Sequence, residues 1–291
     1  MLHGLPSTTQ SLLDAAGAAP RSRRRDGLSR RYFRTLFLSD LHLGASGSRA
    51  APLARLLERV ECRKLYLVGD IIDMWQLRRR WLWDDACDAV VARLVEMAGN
   101  GCEVIFIPGN HDDAARRYAG HQIAGIDIKL YDVHSCASGE RLFVTHGDQY
   151  DLVVKHSRAF CLLGDAAYGV LLRLNSIWNQ LRALCGRPYW SLSQYVKLKV
   201  KSACTFISRF EETLLHEAER AGLDGVVCGH IHKSESRHGE LAYYNCGDWV
   251  ESCTLIAESF QGKIELVHGL ELLAELEAAD QAPAFENALA S

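Results

Sequence analysis

The sequence predicts an α/β fold, and two patterns in its 291 residues predict it. Short apolar runs of strand length alternate with segments whose apolar residues recur at helical spacing. Several of those runs also stop at Gly, Asp, Asn or His, as strands do where a sheet opens toward a ligand. Hydrophobic residues make up 48% of the chain, enough for one large domain or a domain with an inserted subdomain.

Residues 1 to about 30 are rich in Ala, Ser, Gly and Arg without sustained periodicity, and they read as an unstructured arm. Tyr32 to Ser39 is the first strand. Ala51 to Val60 is a helix, with Leu53, Leu56, Leu57 and Val60 at helical spacing. Lys64 to Val68 is the second strand. Asp84 to Ala98 is an amphipathic helix closed by Gly99-Asn100-Gly101, and Glu103 to Ile107 is the third strand. Beyond residue 120, Ile128 to His134 and Glu140 to Thr145 read as strands flanking the turn Ala137-Ser138-Gly139. A long helical stretch then runs from Leu152 to about Ala221, divided by Gly186-Arg187-Pro188. Its Leu171, Leu174, Trp178, Leu181 and Cys185 stand three and four apart. The strand pattern resumes at Gly225 to Cys228, Ala242 to Asn245 and Ser252 to Ala257. A hairpin through Gln261-Gly262-Lys263 leads into Ile264 to Val267, and a short helix and tail close the chain.

The formal charge of −3 hides an asymmetry. Residues 1–34 hold seven Arg against two Asp, a net of +5, so the remainder carries 26 basic and 34 acidic residues, a net of −8. A mildly acidic body argues against nucleic-acid binding as its main activity. The run Arg21-Ser22-Arg23-Arg24-Arg25 reads either as a solvated tail or as a segment attracted to anionic lipid headgroups. The ten Cys include no C-x-x-C pair, and Cys102, Cys161, Cys204 and Cys228 lie within apolar runs, as reduced buried thiols do. The sequence shows no secretory apolar core and no apolar span of about 18 residues, so a reduced, cytosolic protein is expected.

Five apolar strands end, in chain order, at Asp40-x-His42, Gly69-Asp70, Gly109-Asn110-His111-Asp112, His146-Gly147-Asp148 and Gly229-His230-x-His232. In an extended backbone alternate side chains share a face, which would point Asp40 and His42 the same way. In an open α/β sheet ligands gather beyond the carboxyl ends of the strands, so these five ends are expected to meet. Each piece alone has a bland reading, Gly-Asp as an ordinary turn and Gly-Asn-His-Asp as a polar one. All five together, each behind an apolar run, do not. Asp, Asn and His without thiolate suit Mn, Fe or Zn, and Asp70 could bridge two ions. Two ions roughly 3.5–4 Å apart clamp the attacking and leaving oxygens of a phosphate, which points to hydrolysis of a phosphate ester or anhydride.

As a set, over roughly residues 34 to 258, these motifs resemble the signature of the calcineurin-like metallophosphoesterases. The resemblance implies a four-layer α/β/β/α sandwich with a dinuclear centre. It implies that Asp40, His42, Asp70 and His232 hold one metal ion, and that Asp70, Asn110, His146 and His230 hold the other. Mn²⁺ is the expected ion, with Fe or Zn as alternatives. His111 falls at the family's non-ligand histidine, which stabilises developing charge or protonates the leaving oxygen, a role suited to an imidazole that titrates near neutrality. The expected organisation is an arm over 1–31, a metallophosphoesterase domain over 32–270 with a helical lid insertion at about 152–221, and a helix and tail over 271–291.

Gly69-Asp70-Ile71-Ile72-Asp73-Met74-Trp75 and His146-Gly147-Asp148-Gln149-Tyr150-Asp151 resemble a subgroup, the UDP-2,3-diacylglucosamine pyrophosphatases of the lipid A pathway. These release UMP and 2,3-diacylglucosamine 1-phosphate, and they carry a lid over the acyl chains where this chain has its helical stretch. An apolar insertion beside a hydrolytic site suits an amphiphilic substrate, although the Leu/Trp stripe reads equally as core. A nucleotide-diphospho-lipid is the expected substrate, with peripheral contact at the inner face of the cytoplasmic membrane. Another phospholipid, a nucleotide or a phosphoprotein is the alternative, and a non-catalytic metal-bearing scaffold is the third reading. Ser193, Lys197 and Lys201 are four apart and share one helix face, where the lysines would hold a pyrophosphate as point charges or form a solvated basic face. Asn110, His111 and Asp148 complete the expected substrate contacts. Arg141 and Arg78-Arg79-Arg80 are candidates for phosphate or membrane contact, or are solvated. One residue departs from the subgroup, whose best-known members have Arg where this chain has His111.

Overall fold

Three parallel strands organise the first half of the chain: β1 (Arg31–Leu38), β2 (Val60–Val68) and β3 (Glu103–Ile107). Leu36 pairs with Leu65, and Leu65 with Val104. Their side chains alternate between two cores. Leu65 and Leu67 of β2 and Val104 of β3 pack toward the helices, while Tyr66, Val68, Ile105 and Ile107 pack toward a second sheet. Burial on both faces is why these strands read as continuous apolar runs rather than as alternations. The structure, a computed structural model, describes residues 28–150, 207 and 210–281.

Between these strands lie α1 (Ala50–Leu57), α2 (Met74–Arg79) and α3 (Asp85–Gly99). The α1 face made by Leu53, Ala54, Leu56 and Leu57 is buried in the helix-side core, with Val90, Leu94 and Met97 of α3. Asp73 and Asp84 cap the next two helices by accepting the amides of Gln76 and Cys87. After β3 come β4 (Gln122–Ile123), β5 (Ile126–Ile128), β6 (Asp132–Ser135) and β7 (Arg141–Val144). The C-terminal part adds β8 (Gly225–Cys228), β9 (Glu235–Arg237), β10 (Ala242–Asn245), β11 (Thr254–Glu258), β12 (Ile264–His268) and α4 (Gly269–Gln281).

The strands form a seven-stranded sheet, ordered β12-β11-β1-β2-β3-β5-β4, and a five-stranded sheet, ordered β6-β7-β8-β10-β9. Phe37, Tyr66, Ile107 and Ile256 of the first sheet share a core with Val144, Val227 and Tyr244 of the second. Within it Phe37 stacks on Tyr66 with ring centroids 4.9 Å apart. The helix-side core lies on the other face of the first sheet, and Val226 and Tyr243 are buried on the second. Helices over two packed sheets make this the mixed α/β sandwich that the sequence predicts.

Several boundaries differ from expectation. Val60 starts β2 instead of ending the helix before it. The single strand expected over Ile128 to His134 is two, because the chain leaves the first sheet after β5, parallel to β3, and enters the second as β6. The short α2, β4 and β9 were not anticipated. Ser29 and Arg30, placed in the arm by composition, are buried: the Ser29 amide donates to Asp280 (2.6 Å) and Arg30 to the Glu58 carbonyl (2.6 Å).

The chain divides into two compact units, residues 1–148 with 217–291, and residues 149–216. Of the second, the described residues include 210–216, part of a helix over 210–220. Most of the expected insertion, with Ser193, Lys197 and Lys201, lies outside the described residues. The same holds for the arm before residue 28 and the tail after residue 281.

Candidate metal centre

Parallel pairing gathers the five strand ends. β1, β2 and β3 point Asp40, Asp70 and Asn110 one way, and β7 beside β8 places His146 near His230, with ring centroids 5.1 Å apart. The loops interlock beyond the strands. The Asp40 amide donates to the Gly69 carbonyl (3.0 Å), that of His42 to Asp70 (2.9 Å) and that of Trp249 to Asp40 (3.0 Å). The expected extended backbone at Asp40 and His42 is not what orients them. Both have left-handed φ, +53° and +44°, so their side chains converge through a turn and not through strand alternation.

Two clusters result. Asp40, His42 and His232 bring ligand atoms within 4.8 Å of one another, and Asp70, His146 and His230 do the same. His232 Nε2 lies 3.1 Å from Asp40 Oδ1, and His42 Nε2 lies 3.7 Å from it. Asp70 Oδ2 stands between the clusters, 3.5 Å from His146 Nε2 and 4.0 Å from His42 Nε2. Each carboxylate engages its other oxygen. Asp40 Oδ2 accepts from Ser39 and from the His230 amide (2.9 Å), while Asp70 Oδ1 accepts the His111 amide (2.7 Å). Asp40 Oδ1, Asp70 Oδ2 and His146 Nε2 are buried and make no hydrogen bond. Buried polar atoms are rarely left so, and donors converging in this way fit a divalent cation.

Electrostatics agree with that fit. Burial disfavours charge on His146, yet the carboxylate of Asp70 outweighs it and raises the imidazole to about 10. His42 rises to about 10 for a similar reason, burial being outweighed by the neighbouring carboxylates of Asp40 and Asp73. Burial likewise opposes ionisation of Asp70, but the charge of His146 holds it down at about 2.

A supporting layer orients these groups. Asp73 reaches His42 Nδ1 with one oxygen (3.3 Å) and His111 Nδ1 with the other (2.9 Å), which leaves both Nε2 atoms toward the cluster. His146 Nδ1 donates to the Val68 carbonyl (2.8 Å). His232 Nδ1 is 3.8 Å from Asp248, itself fixed by the amides of Val250 and Glu251. Asp112 is fully buried and ties two motif loops together, accepting the amides of Gly109 (2.6 Å) and Ile71 (2.7 Å). Burial and the charge of Asp70 push it up to about 6. Trp75 stacks on His111 with centroids 4.2 Å apart.

Asn110 is half-buried on the same loop, between Gly109 and His111, and His111 Nε2 lies 4.0 Å from Asp70 Oδ2. Asp148, an expected substrate contact, is already engaged: Arg116 Nη2 donates to both of its oxygens (2.6 and 2.8 Å) and to the Pro108 carbonyl (3.1 Å). Sequence reasoning gave no role to Asp73, Asp112, Arg116 or Asp248. Asp73 stood inside a quoted motif, three residues after Asp70, and Asp248 follows a strand and a glycine, which is a weak signal.

The calcineurin-like phosphoesterase family matches the chain over residues 33–234. Among curated proteins, the chain is 26% identical over 262 residues to the UDP-2,3-diacylglucosamine hydrolase of Porphyromonas gingivalis, covering 77% of this chain and 97% of that protein. It is 24% identical over 252 residues to the protein of the same name from Edwardsiella ictaluri, covering 82% and 92%. Among solved structures, zinc-bound Vps29 of Entamoeba histolytica aligns at 13% identity and a TM-score of 0.34, over 80% of this chain and 96% of that one.

Proposed function

The chain belongs to the calcineurin-like phosphoesterase family, and from that premise we propose that it hydrolyses UDP-2,3-diacylglucosamine to UMP and 2,3-diacylglucosamine 1-phosphate. The observation that carries the chemistry is the pair of buried carboxylate oxygens, Asp40 Oδ1 and Asp70 Oδ2, that face imidazole nitrogens without a hydrogen bond. The lipid assignment is supported by the shared name of both curated relatives.

Asp40, His42, Asp70 and His232 would hold one divalent ion, and Asp70, Asn110, His146 and His230 the other. Oxygen and imidazole donors without thiolate favour Mn²⁺, with Fe or Zn also accommodated. When bound, such ions supply a water nucleophile deprotonated near neutral pH and balance charge on the phosphate. The chain's own residues do the rest. Asp73 fixes the ring of His111 through Nδ1, which leaves Nε2 to donate a proton to the leaving phosphate oxygen. Trp75 covers one face of that ring and restricts its rotation. Asp112 holds the loops of Asp70 and Asn110 in register, so that the donors are preorganised. Arg116, anchored by Asp148 and the Pro108 carbonyl, sets a guanidinium beside the loops of Asn110 and His146. Asn110 and His111 would face the phosphate of the substrate, and Asp148 would act there through the Arg116 guanidinium that it holds. Roles for Ser193, Lys197 and Lys201 at its pyrophosphate rest on their spacing alone.

The test is turnover of detergent-dispersed UDP-2,3-diacylglucosamine with Mn²⁺, followed by chromatography of the nucleotide product. UMP is expected. Hydrolysis of a soluble aryl phosphate with no nucleotide released from the lipid would keep the phosphoesterase and reject the lipid.

A further inference from the structure

Beside the centre lies a patch of which the proposed chemistry uses only Trp75, against His111. α2 runs into Arg78, Arg79 and Arg80, all exposed, and none of their side chains makes an ion pair or hydrogen bond among the described residues. Trp81 follows with 72% of its surface exposed, and Trp75 in the first turn of α2 is 40% exposed. Trp75, Arg78 and Arg79 stand three and four apart and so share a helix face. Since Trp75 stacks on His111, that face adjoins the candidate centre.

The composition of this rim identifies what it would meet. Indoles settle at the headgroup level of a bilayer, where one edge is apolar and the other wet. Unpaired guanidinium groups beside them match phosphate oxygens. The acids that follow are engaged by α3: Asp84 caps it, Asp88 accepts from Trp83 Nε1 (2.7 Å), and Asp85 lies in its first turn, which favours negative charge. We propose that Trp75, Arg78, Arg79, Arg80 and Trp81 form the surface by which this protein docks on an anionic phospholipid bilayer, bringing His111 to the headgroup level. The inference rests on the proposed lipid substrate for its purpose, and on the exposed indoles and unpaired arginines for its substance.

Co-sedimentation of the full chain with vesicles tests it. Binding is expected to equimolar phosphatidylcholine and phosphatidylglycerol, and not to phosphatidylcholine alone. Each arginine at an anionic surface contributes about fivefold, so combining Arg78→Gln, Arg79→Gln and Arg80→Gln should weaken binding at least about tenfold. Trp81→Ala should weaken it as well. Both variants should hydrolyse a soluble aryl phosphate at the parental rate, which reports an intact fold and centre. Substituting Arg21, Arg23, Arg24 and Arg25 by Gln separates the N-terminal arm and should leave most of the binding in place. Parental vesicle binding by the triple variant, binding lost only with the arm, or equal binding to both vesicles would overturn the proposal. Vesicle binding without UMP release from the dispersed lipid would reject the substrate and leave the docking surface standing.

Discussion

Asp40, His42, Asp70, His230 and His232 all have φ between +44° and +72°, and they are five of the seven non-glycine residues with positive φ among the described residues. A left-handed L-residue costs roughly 1–2 kcal/mol, less where a short polar side chain bonds locally, so such clustering marks a place where geometry outweighs stability. The cost is borne because neighbouring loops clamp the backbone. Side chains held this way are expected to act as a unit. Asp70→Ala removes the oxygen that stands between the two clusters and should lower kcat by about three orders of magnitude or more, with metal content falling by elemental analysis. His111→Ala should keep its metal content and lose roughly 10²–10⁴ in kcat. Loss of metal from His111→Ala would instead make that histidine a ligand. The candidate donors were legible because each stands directly behind an apolar run. Asp73, Asp112 and Asp248 were not, since an orienting carboxylate is recognised only by the group it touches.

At the scale of elements, the strand ends meet only because glycine lets them. A Cβ at Gly229 would sit 1.8 Å from Ser39 Oγ and 2.5 Å from Asp40 Oδ2, where the β8 loop crosses that of β1. Gly229→Ala should therefore displace Asp40, lowering metal content and activity while leaving the far-UV spectrum of the fold in place. Elsewhere, β11 is tied to its neighbours by Glu258, which is fully buried. It accepts from Thr35 of β1 (2.7 Å), His134 of β6 (2.9 Å) and the Ala137 amide (2.7 Å). Burial alone would raise its pKa, but the hydrogen bonds from His134, Ala137 and Thr35 outweigh it and bring the group to about 2. A folded pKa below the unfolded value of about 4.3 means stability that is full above about pH 5 and lost as pH falls toward about 2. The carboxylate contributes roughly 3 kcal/mol at neutral pH. Urea denaturation should show Glu258→Gln destabilised by a similar amount at neutral pH, with the gap from the parent narrowing below about pH 4.

For the whole molecule, ion binding and folding are linked. The clusters draw residues from both sheets, so an ion held there binds only the folded sandwich. At a hundredfold excess over its Kd, Mn²⁺ should add about 2.7 kcal/mol, or a rise in Tm of roughly 5–10 °C over protein treated with a chelator. Asp70→Ala should show little of that rise in differential scanning calorimetry. No helix among the described residues is long and apolar enough to cross a membrane.

The sequence by itself determined the local pieces: which runs are strands, where each stops, and which donors stand at the stops. Local pattern suffices there, because a strand buried on both faces has no polar positions until it leaves the sheet. It also carried the family. Only the tertiary structure decided that Ile128 to His134 is shared between two sheets, that left-handed turns aim Asp40 and His42, and that Asp73 serves two histidines. His42 and His232 approach to 3.4 Å across 190 positions of chain, and no local preference specifies that. Parallel pairing within each sheet and the common core between them do, since burying both inner faces sets all five strand ends on one side.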